Sequence, residues 1–326
     1  MKKLIYYFIT FVFIIFILPA ILTRQTIKVI ANEEKLELIN NESEDKKIKL
    51  LHVDTNQVEE VNLEDYICSV VSAEMPADYE PEALKAQAII ARTYTMYKIN
   101  HPKHENADIC DKSTCCQAWI AKEDRIAKWD EDKRDANWNK IVNCVNETKG
   151  KIVTYNNEPI NAFFHANSGG TTERPQDVWG GDDYPYLQIV QTDGEEGYLQ
   201  YSSEVTYTDQ EFINKIKEKY KDLEIDLSSI DDLKILEYTE SGRVRTIKVG
   251  NHNLSGVEAR TILGLKSANF DVLNLDGEVT FRVRGYGHGV GMSQTGAQSM
   301  AKEGKTAEDI INHFYIDTEI KDIKSL

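Results

Sequence analysis

Residues 62–99 read NLEDYICSVVSAEMPADYEPEALKAQAIIARTYTMYKI. This stretch predicts two consecutive helices that organise the rest of the chain. Asn62 is a favoured N-cap residue at the start of the first helix. Pro76 follows the apolar stripe and ends that helix. Pro81 suits the first turn of the second helix, whose repeated alanines permit close packing against a neighbour.

The first of these helices carries an acidic residue on its apolar face. From Ile67, a step of three reaches Val70 and a further step of four reaches Glu74, so Glu74 continues the buried stripe. Burial disfavours the charged form of a carboxyl and raises its pKa, as a general acid working near neutral pH requires. The alternative is a structural glutamate at a helix end, hydrogen-bonded or salt-bridged to a residue such as Arg92.

Outside this segment, helices and strands are mixed without a regular βαβ alternation, which predicts an α+β fold. A hairpin is predicted before Asn62, and KIVTY and INAFFHA are predicted strands on either side of Asn156–Asn157. Further on, a helix is predicted over residues 209–221, followed by the hairpin LKILEYT/VRTIKVG, the strand EVTFRVRG, a helix ended by Gly304, and a last helix capped by Thr306.

The N-terminal 24 residues predict a membrane anchor. Leu4 to Leu22 is an uncharged run of nineteen residues, about 28 Å as a helix, which approaches the thickness of a bilayer core. Lys2 and Lys3 predict a cytoplasmic N-terminus and an extracytoplasmic remainder. Residues 25–48 are a predicted polar linker, and residues 49–318 a globular domain with an inserted lobe at about 200–280.

The overall composition is that of an acidic globular protein. Charged residues make up 28% and hydrophobic residues 41% of the chain, and the formal net charge is −16. Nucleic-acid binding requires basic surfaces that displace counterions, so this charge argues against a nucleic-acid partner.

The segment 101–117 has the composition of a zinc site. His104, Cys110 and Cys116 are each six residues apart, so one folded loop can bring them together. The fourth ligand is left open between Cys115, His101 and Asp108. The alternative is a Cys110–Cys116 disulfide. The remaining cysteines, Cys68 and Cys144, are predicted to be small core residues.

Two glycine-containing segments have the composition of ligand loops. FFHANSGGTTE delivers His165 at a strand end and then turns through residues 168–171 with hydroxyls and amides that we expect to be exposed. GYGHGVGMSQTGAQ allows close approach of a ligand to the backbone and carries His288 and Gln294. Neither segment has the lysine or the βαβ context of a nucleotide-binding loop.

Taken together, these strings resemble the stage II sporulation protein D family, which includes amidase-enhancer proteins of the bacterial wall. The resemblance covers roughly residues 50–316. It is carried, in the family's order, by SAEMP, EALKAQAIIARTY, ADICDKSTCCQ, FFHANSGGTTE with Trp179 and YPYL after it, SGVEARTILGLKSANF, and GYGHGVGMSQTGAQ.

The resemblance implies a peptidoglycan lytic transglycosylase that cuts between N-acetylmuramic acid and N-acetylglucosamine in strands without stem peptides. It places the catalytic glutamate on Glu74 and the ligands of one structural zinc on His104, Cys110 and Cys116, with Cys115 beside the second cysteine as the candidate fourth ligand. It also implies a glycan cleft, engulfment of the forespore, and partnership with a cell-wall amidase in a membrane complex. The matching glycan-contacting loop is Ser168, Gly169, Gly170 and Thr171.

Two other functions use the same residues. A non-catalytic, glycan-binding enhancer of an amidase would not need the carboxyl of Glu74. An ordinary hydrolase would pair Glu74 with a second carboxylate, such as Asp177 or Asp182, to activate water.

Overall fold

The computed structural model describes residues 46–181 and 183–326. The predicted anchor (residues 1–24), nearly all of the predicted linker (residues 25–48) and Asp182 lie outside the described residues. Within residues 46–181 and 183–326, no helix is both long enough and apolar enough to cross a membrane. The description below concerns the compact unit Ile48–Leu326.

The unit is a mixture of helices and strands, as the sequence predicts. The helices are α1 (Leu63–Glu74), α2 (Pro81–Asn100), α3 (Lys122–Ala127), α4 (Arg134–Glu147), α5 (Pro175–Trp179), α6 (Asp209–Lys219), α7 (Gly256–Leu263), α8 (Gln294–Lys302) and α9 (Ala307–Phe314). The strands are β1 (Lys47–His52), β2 (Gln57–Asn62), β3 (Ile109–Cys110), β4 (Lys151–Tyr155), β5 (Glu158–Pro159), β6 (Phe164–His165), β7 (Ser202–Thr208), β8 (Leu233–Tyr238), β9 (Val244–Val249), β10 (His252–Ser255), β11 (Phe270–Leu275), β12 (Glu278–Arg284), β13 (Met292–Ser293) and β14 (Glu319–Asp322).

Local sequence signals set the helix boundaries. The Asn62 side chain accepts hydrogen bonds from the amides of Glu64 and Asp65, which caps α1. Thr306 forms a reciprocal capping box with Asp309 at the start of α9. The two-helix prediction for residues 62–99 and the cap predicted at Thr306 are therefore confirmed.

The first hydrophobic core surrounds α2. This helix packs against α1, α4, α8, α9 and β4, and its buried alanines allow that close approach. Residues near both ends of the unit, such as Leu50 and Phe314, belong to the same core. The N-terminal helices and the C-terminal helices therefore share one hydrophobic core.

The second hydrophobic core lies among residues 212–283 and contains Phe212, Phe270 and Phe281. Two three-stranded antiparallel sheets surround it, in the orders β10-β9-β8 and β11-β12-β7. The domain and lobe boundaries given above remain predictions.

Two short strand pairs depart from the antiparallel pattern. β1 pairs with β3 and β6 pairs with β13 in parallel, and each pair joins segments distant in sequence. The strand predicted over residues 160–166 is wrong for most of its length, since only Phe164–His165 pairs there, with β13. Two backbone groups in this segment bond to tyrosine hydroxyls: the Asn161 amide donates to Tyr186 at 3.0 Å, and the Phe163 carbonyl accepts from Tyr315 at 2.6 Å.

Candidate active site and metal centre

Glu74 is the last residue of α1, and its carboxyl is held by two neutral amide donors. The backbone N–H of Ala118 donates to Oε1 at 2.7 Å, and the Gln294 side-chain amide donates to Oε2 at 3.3 Å. Burial raises the pKa of Glu74, and the two hydrogen bonds oppose that rise only in part. The carboxyl therefore retains a proton to a higher pH than an exposed glutamate does.

Arg92 does not pair with Glu74, so the partner suggested for a structural glutamate is wrong. Its fully buried guanidinium binds the carboxylate of Glu64, with Nε···Oε1 at 2.9 Å and Nη2···Oε2 at 2.6 Å. Arg92 also donates to the Lys151 carbonyl at 3.0 Å. This ion pair lies at the opposite end of α1 from Glu74.

Four predicted metal ligands lie together. The ligand atoms of His104, Cys110, Cys115 and Cys116 are all within 4.8 Å of one another. His104 Nε2 is 3.6 Å from the Sγ atoms of Cys115 and Cys116, which are 4.0 Å apart. Tetrahedral zinc with Zn–N of about 2.0–2.1 Å and Zn–S of about 2.3 Å requires about 3.5–3.6 Å between N and S and about 3.8 Å between two S atoms. This His/Cys₃ group therefore fits a zinc ion.

The fourth member of this group, beside His104, Cys110 and Cys116, is Cys115 and neither of the two other candidates. His101 stacks on Tyr97, and its Nδ1 bonds the Tyr97 carbonyl. The Asp108 carboxylate instead accepts the Lys49 amide at 2.8 Å. Cys115 is thus the fourth member of the group, and all five cysteines are free thiols, so no Cys110–Cys116 disulfide is present.

The His/Cys₃ group is linked to Glu74 by the two residues that follow Cys116. The Gln117 side chain is buried and donates to the Tyr66 hydroxyl at 3.0 Å. Ala118 then presents its N–H to Glu74. A metal ion at Cys116 would consequently order the segment that supplies one of the two donors to the Glu74 carboxyl.

The loop at residues 168–171 does not present its hydroxyls and amides to solvent as expected, since the amides of Ser168 and Gly170 both donate to Glu195. The Ser168 hydroxyl is fully buried and donates to Glu195, so it is not exposed. Thr171 donates to the Ser241 carbonyl at 3.0 Å. The solvent side of the loop forms a groove of about 250 Å³. Its lining residues are Gly169, Gly170, Thr171, Gln191, Ser241, Gly242, Asn269 and Arg284.

His165 and His288, one from each ligand loop, lie with ring centroids 5.7 Å apart. The Nδ1 of His165 donates to the Val290 carbonyl at 3.1 Å, and His288 Nδ1 accepts the Val290 amide at 3.0 Å. Burial lowers the pKa of His165 to about 3 and that of His288 well below its ordinary value. Both rings are therefore neutral near pH 7. Their predicted substrate contacts remain predictions.

Sequence reasoning missed three groups around these loops. The Ala118 backbone amide carries no side-chain signal. Arg243, 3% exposed, donates to the carbonyls of Ser168 and Thr171 and supports the loop from behind. Glu195, 0% exposed, lies in an acidic Asp-Gly-Glu-Glu string that has the composition of a solvated turn.

Comparison with known proteins identifies the family. A family model described as "SpoIID: Stage II sporulation protein" matches residues 52–155. The chain is 37% identical to stage II sporulation protein D of Bacillus subtilis (strain 168) over 268 residues, which cover 81% of this chain and 76% of that protein. It is 34% identical to stage II sporulation protein D of Bacillus amyloliquefaciens, over 85% of this chain and 79% of that protein.

A more distant relative is the amidase enhancer of Bacillus subtilis (strain 168), 28% identical over 77% of this chain and 39% of that protein. The α+β unit with its partly buried helix-end glutamate and His/Cys₃ group is thus that of a sporulation protein. The chain belongs to the stage II sporulation protein D family.

Proposed function

We propose that this protein is a lytic transglycosylase. It would cleave the N-acetylmuramic acid–N-acetylglucosamine bonds of peptidoglycan, preferring strands without stem peptides, to give 1,6-anhydro ends. The observation that carries the proposal is the environment of Glu74, which is partly buried, protonated more readily than usual, and held by amide donors. In the described part of the chain, no charged side chain is ion-paired with Glu74.

A single carboxyl is sufficient for this reaction. Glu74 would donate its proton to the glycosidic oxygen as the bond to the anomeric carbon breaks. The resulting carboxylate would then take the proton of the muramic acid 6-hydroxyl while that oxygen attacks the same carbon. The Ala118 and Gln294 donors stabilise the carboxylate between the two steps. No water is consumed.

A hydrolytic mechanism would need a second carboxylate free to activate water. Asp177 is instead paired with Arg245 at 2.6 Å. This pairing favours the lytic mechanism over a hydrolase that uses Asp177. Asp182, the other carboxylate considered, lies outside the described residues.

The His/Cys₃ group would hold one structural zinc through His104, Cys110, Cys115 and Cys116. The ion would supply fixed coordination to the loop and no chemistry to the substrate. Leu4 to Leu22 would anchor the protein in the cell membrane, with the N-terminus in the cytoplasm and the enzyme outside. The partners would be glycan strands and, during forespore engulfment, a cell-wall amidase in the same membrane.

A second function, a non-catalytic enhancer of a wall amidase, is supported by the relationship with the Bacillus subtilis amidase enhancer. Digestion of denuded glycan with the full-length protein, followed by mass spectrometry, separates these functions. An anhydro product supports the lytic enzyme, a hydrated product a hydrolase, and binding without product the enhancer.

The decisive variant is Glu74→Gln, which preserves the size of the side chain but cannot exchange a proton. Cleavage is expected to fall by roughly 10²–10⁴-fold or more while glycan binding persists. Asp78→Asn is the matched control, because it neutralises an exposed carboxyl four residues away and should retain full activity. Full activity in a folded Glu74→Gln protein would contradict the assignment.

A further inference from the structure

Glu195 is a buried carboxylate whose two oxygens accept six hydrogen bonds. Oε1 accepts from the Ser168 amide at 3.1 Å, the Thr295 hydroxyl at 2.9 Å and the Ser293 hydroxyl. Oε2 accepts from the Thr192 hydroxyl at 2.8 Å, the Gly170 amide at 3.2 Å and the Ser168 hydroxyl. The side chain is wholly inaccessible to solvent. A carboxylate buried without a salt bridge is costly unless donors of this number surround it.

These donors come from three segments distant in sequence. One is the loop at residues 168–171, the second is the turn that carries Thr192, and the third is the start of α8. Glu195 therefore joins the predicted glycan loop to the helix that presents Gln294. Ser293 and Thr295 flank Gln294 directly, so both neighbours of that residue are fixed by one carboxylate.

The side-chain amide of Gln294 contacts two further side chains. Its Nε2 donates to Glu74 Oε2 at 3.3 Å and to the buried Gln87 Oε1 at 3.4 Å. In this arrangement both oxygens accept hydrogen bonds, and the amide nitrogen of Gln294 faces Glu74. A displacement of the α8 start would lengthen the already long bond to Glu74.

We propose that Glu195 is a positioning residue that sets both the Gln294 donor to Glu74 and the backbone of the glycan loop. The effect that we expect on glycan cleavage rests on the proposed function. The effect of Glu195 on the surroundings of the Glu74 carboxyl can be measured without any substrate.

The natural test is Glu195→Gln. A glutamine has one acceptor oxygen, and its NH₂ group would face hydroxyls and amides that now donate. The start of α8 and the loop should then separate from the side chain. With the Gln294 donation to Glu74 weakened, the pKa of Glu74 should rise by up to about one pH unit.

The measurement uses the full-length chain with isotope-labelled glutamate, in detergent micelles. The Glu74 carboxyl resonance is assigned by its loss in Glu74→Gln and titrated by NMR. Denuded-glycan cleavage against pH gives kcat and KM. We expect a higher Glu74 pKa, about tenfold lower kcat and a raised KM in Glu195→Gln.

Glu64→Gln is the matched control, because it also removes a carboxylate bonded to buried donors but at the far end of α1. It should lower the melting temperature and leave the pKa of Glu74 unchanged. Should Glu195→Gln fail to fold, Thr192→Val removes a single donor and should shift the pKa of Glu74 in the same direction by less.

An unchanged Glu74 pKa with unchanged kcat and KM, in folded Glu195→Gln or in Thr192→Val, would overturn the proposal. So would an equal pKa shift in Glu64→Gln, because the effect would then be general destabilisation. If the wild-type protein cleaves no glycan, the proposed function fails, and the NMR titration still decides whether Glu195 positions Glu74.

Discussion

Removal of one thiolate from the His/Cys₃ group should release a zinc ion and loosen the segment that reaches Glu74. The wild-type ligand atoms already have the separations of a tetrahedral site, with N···S distances of 3.6 Å, so little rearrangement is needed to bind the ion. We therefore expect about one zinc per purified chain. Cys116→Ala removes a ligand that also accepts the Cys110 amide at 3.4 Å.

The expected loss of stability follows from what else holds the fold. Zinc-finger peptides, which have almost no core, gain about 10–16 kcal/mol from the ion. Here two hydrophobic cores remain and β3 stays paired with β1, so only the loop loses its order. We expect Cys116→Ala to cost about 3–5 kcal/mol, which for a domain of this size lowers the melting temperature by roughly 10 °C.

The assay combines zinc analysis, thermal unfolding and cleavage of denuded glycan. Cys68→Ala and Cys144→Ala are matched controls, since each removes a buried thiol outside the group and should retain zinc. Cys116→Ala should also cleave more slowly, because Ala118 follows two residues later. Zinc-free wild-type protein with Cys110 and Cys116 joined in a disulfide would refute the reasoning.

Three further outcomes are expected. Because burial raises the folded-state pKa of Glu74, the folding stability of the wild type falls as the pH rises through that pKa. Glu74→Gln has no carboxyl to titrate, so its thermal unfolding at pH 7 should not show this loss of stability. Burial of Glu195 would raise its pKa, but the hydrogen bonds from its hydroxyl and amide donors outweigh burial and lower that pKa. The stability that Glu195 contributes to the fold is therefore present above the unfolded-state pKa and is lost as the pH falls through the folded-state pKa. In an acid unfolding series, Glu195→Gln should lack this component. Tyr315→Phe should cost about 1 kcal/mol in chemical denaturation, because it removes the hydroxyl that donates to the Phe163 carbonyl and accepts the Met292 amide, while these two backbone groups stay bonded to each other; an effect below about 0.5 kcal/mol would contradict the buried hydrogen bonds.

Features coded by neighbouring residues were predictable from the sequence. The caps at Asn62 and Thr306 depend on a side chain bonding within three residues, and both are found as predicted. The position of Glu74 followed from helical periodicity, and the composition of the loop 101–117 indicated a metal site.

Features that depend on long-range partners were not predictable. Glu195 has the local sequence of an exposed turn, and only its contacts with Ser168 and Ser293 reveal a buried anchor. The partner suggested for Arg92 was wrong because two glutamates share α1, and sequence spacing does not say which end Arg92 reaches. The strand predicted over residues 160–166 failed because apolar content does not distinguish strand pairing from bonding to tyrosine hydroxyls.

The hydrogen bond between Glu74 and Gln294 joins residues 220 positions apart in the chain. During synthesis the N-terminal part emerges first, at about 5–20 residues per second, so Glu74 precedes its partner by roughly 10 to 40 seconds. Throughout that interval Ser293, Gln294 and Thr295 are missing, and both β6 and Glu195 lack their C-terminal partners. The candidate site is thus completed by a segment made long after Glu74, and a nascent protein, or one truncated before residue 293, carries the glutamate without its surroundings.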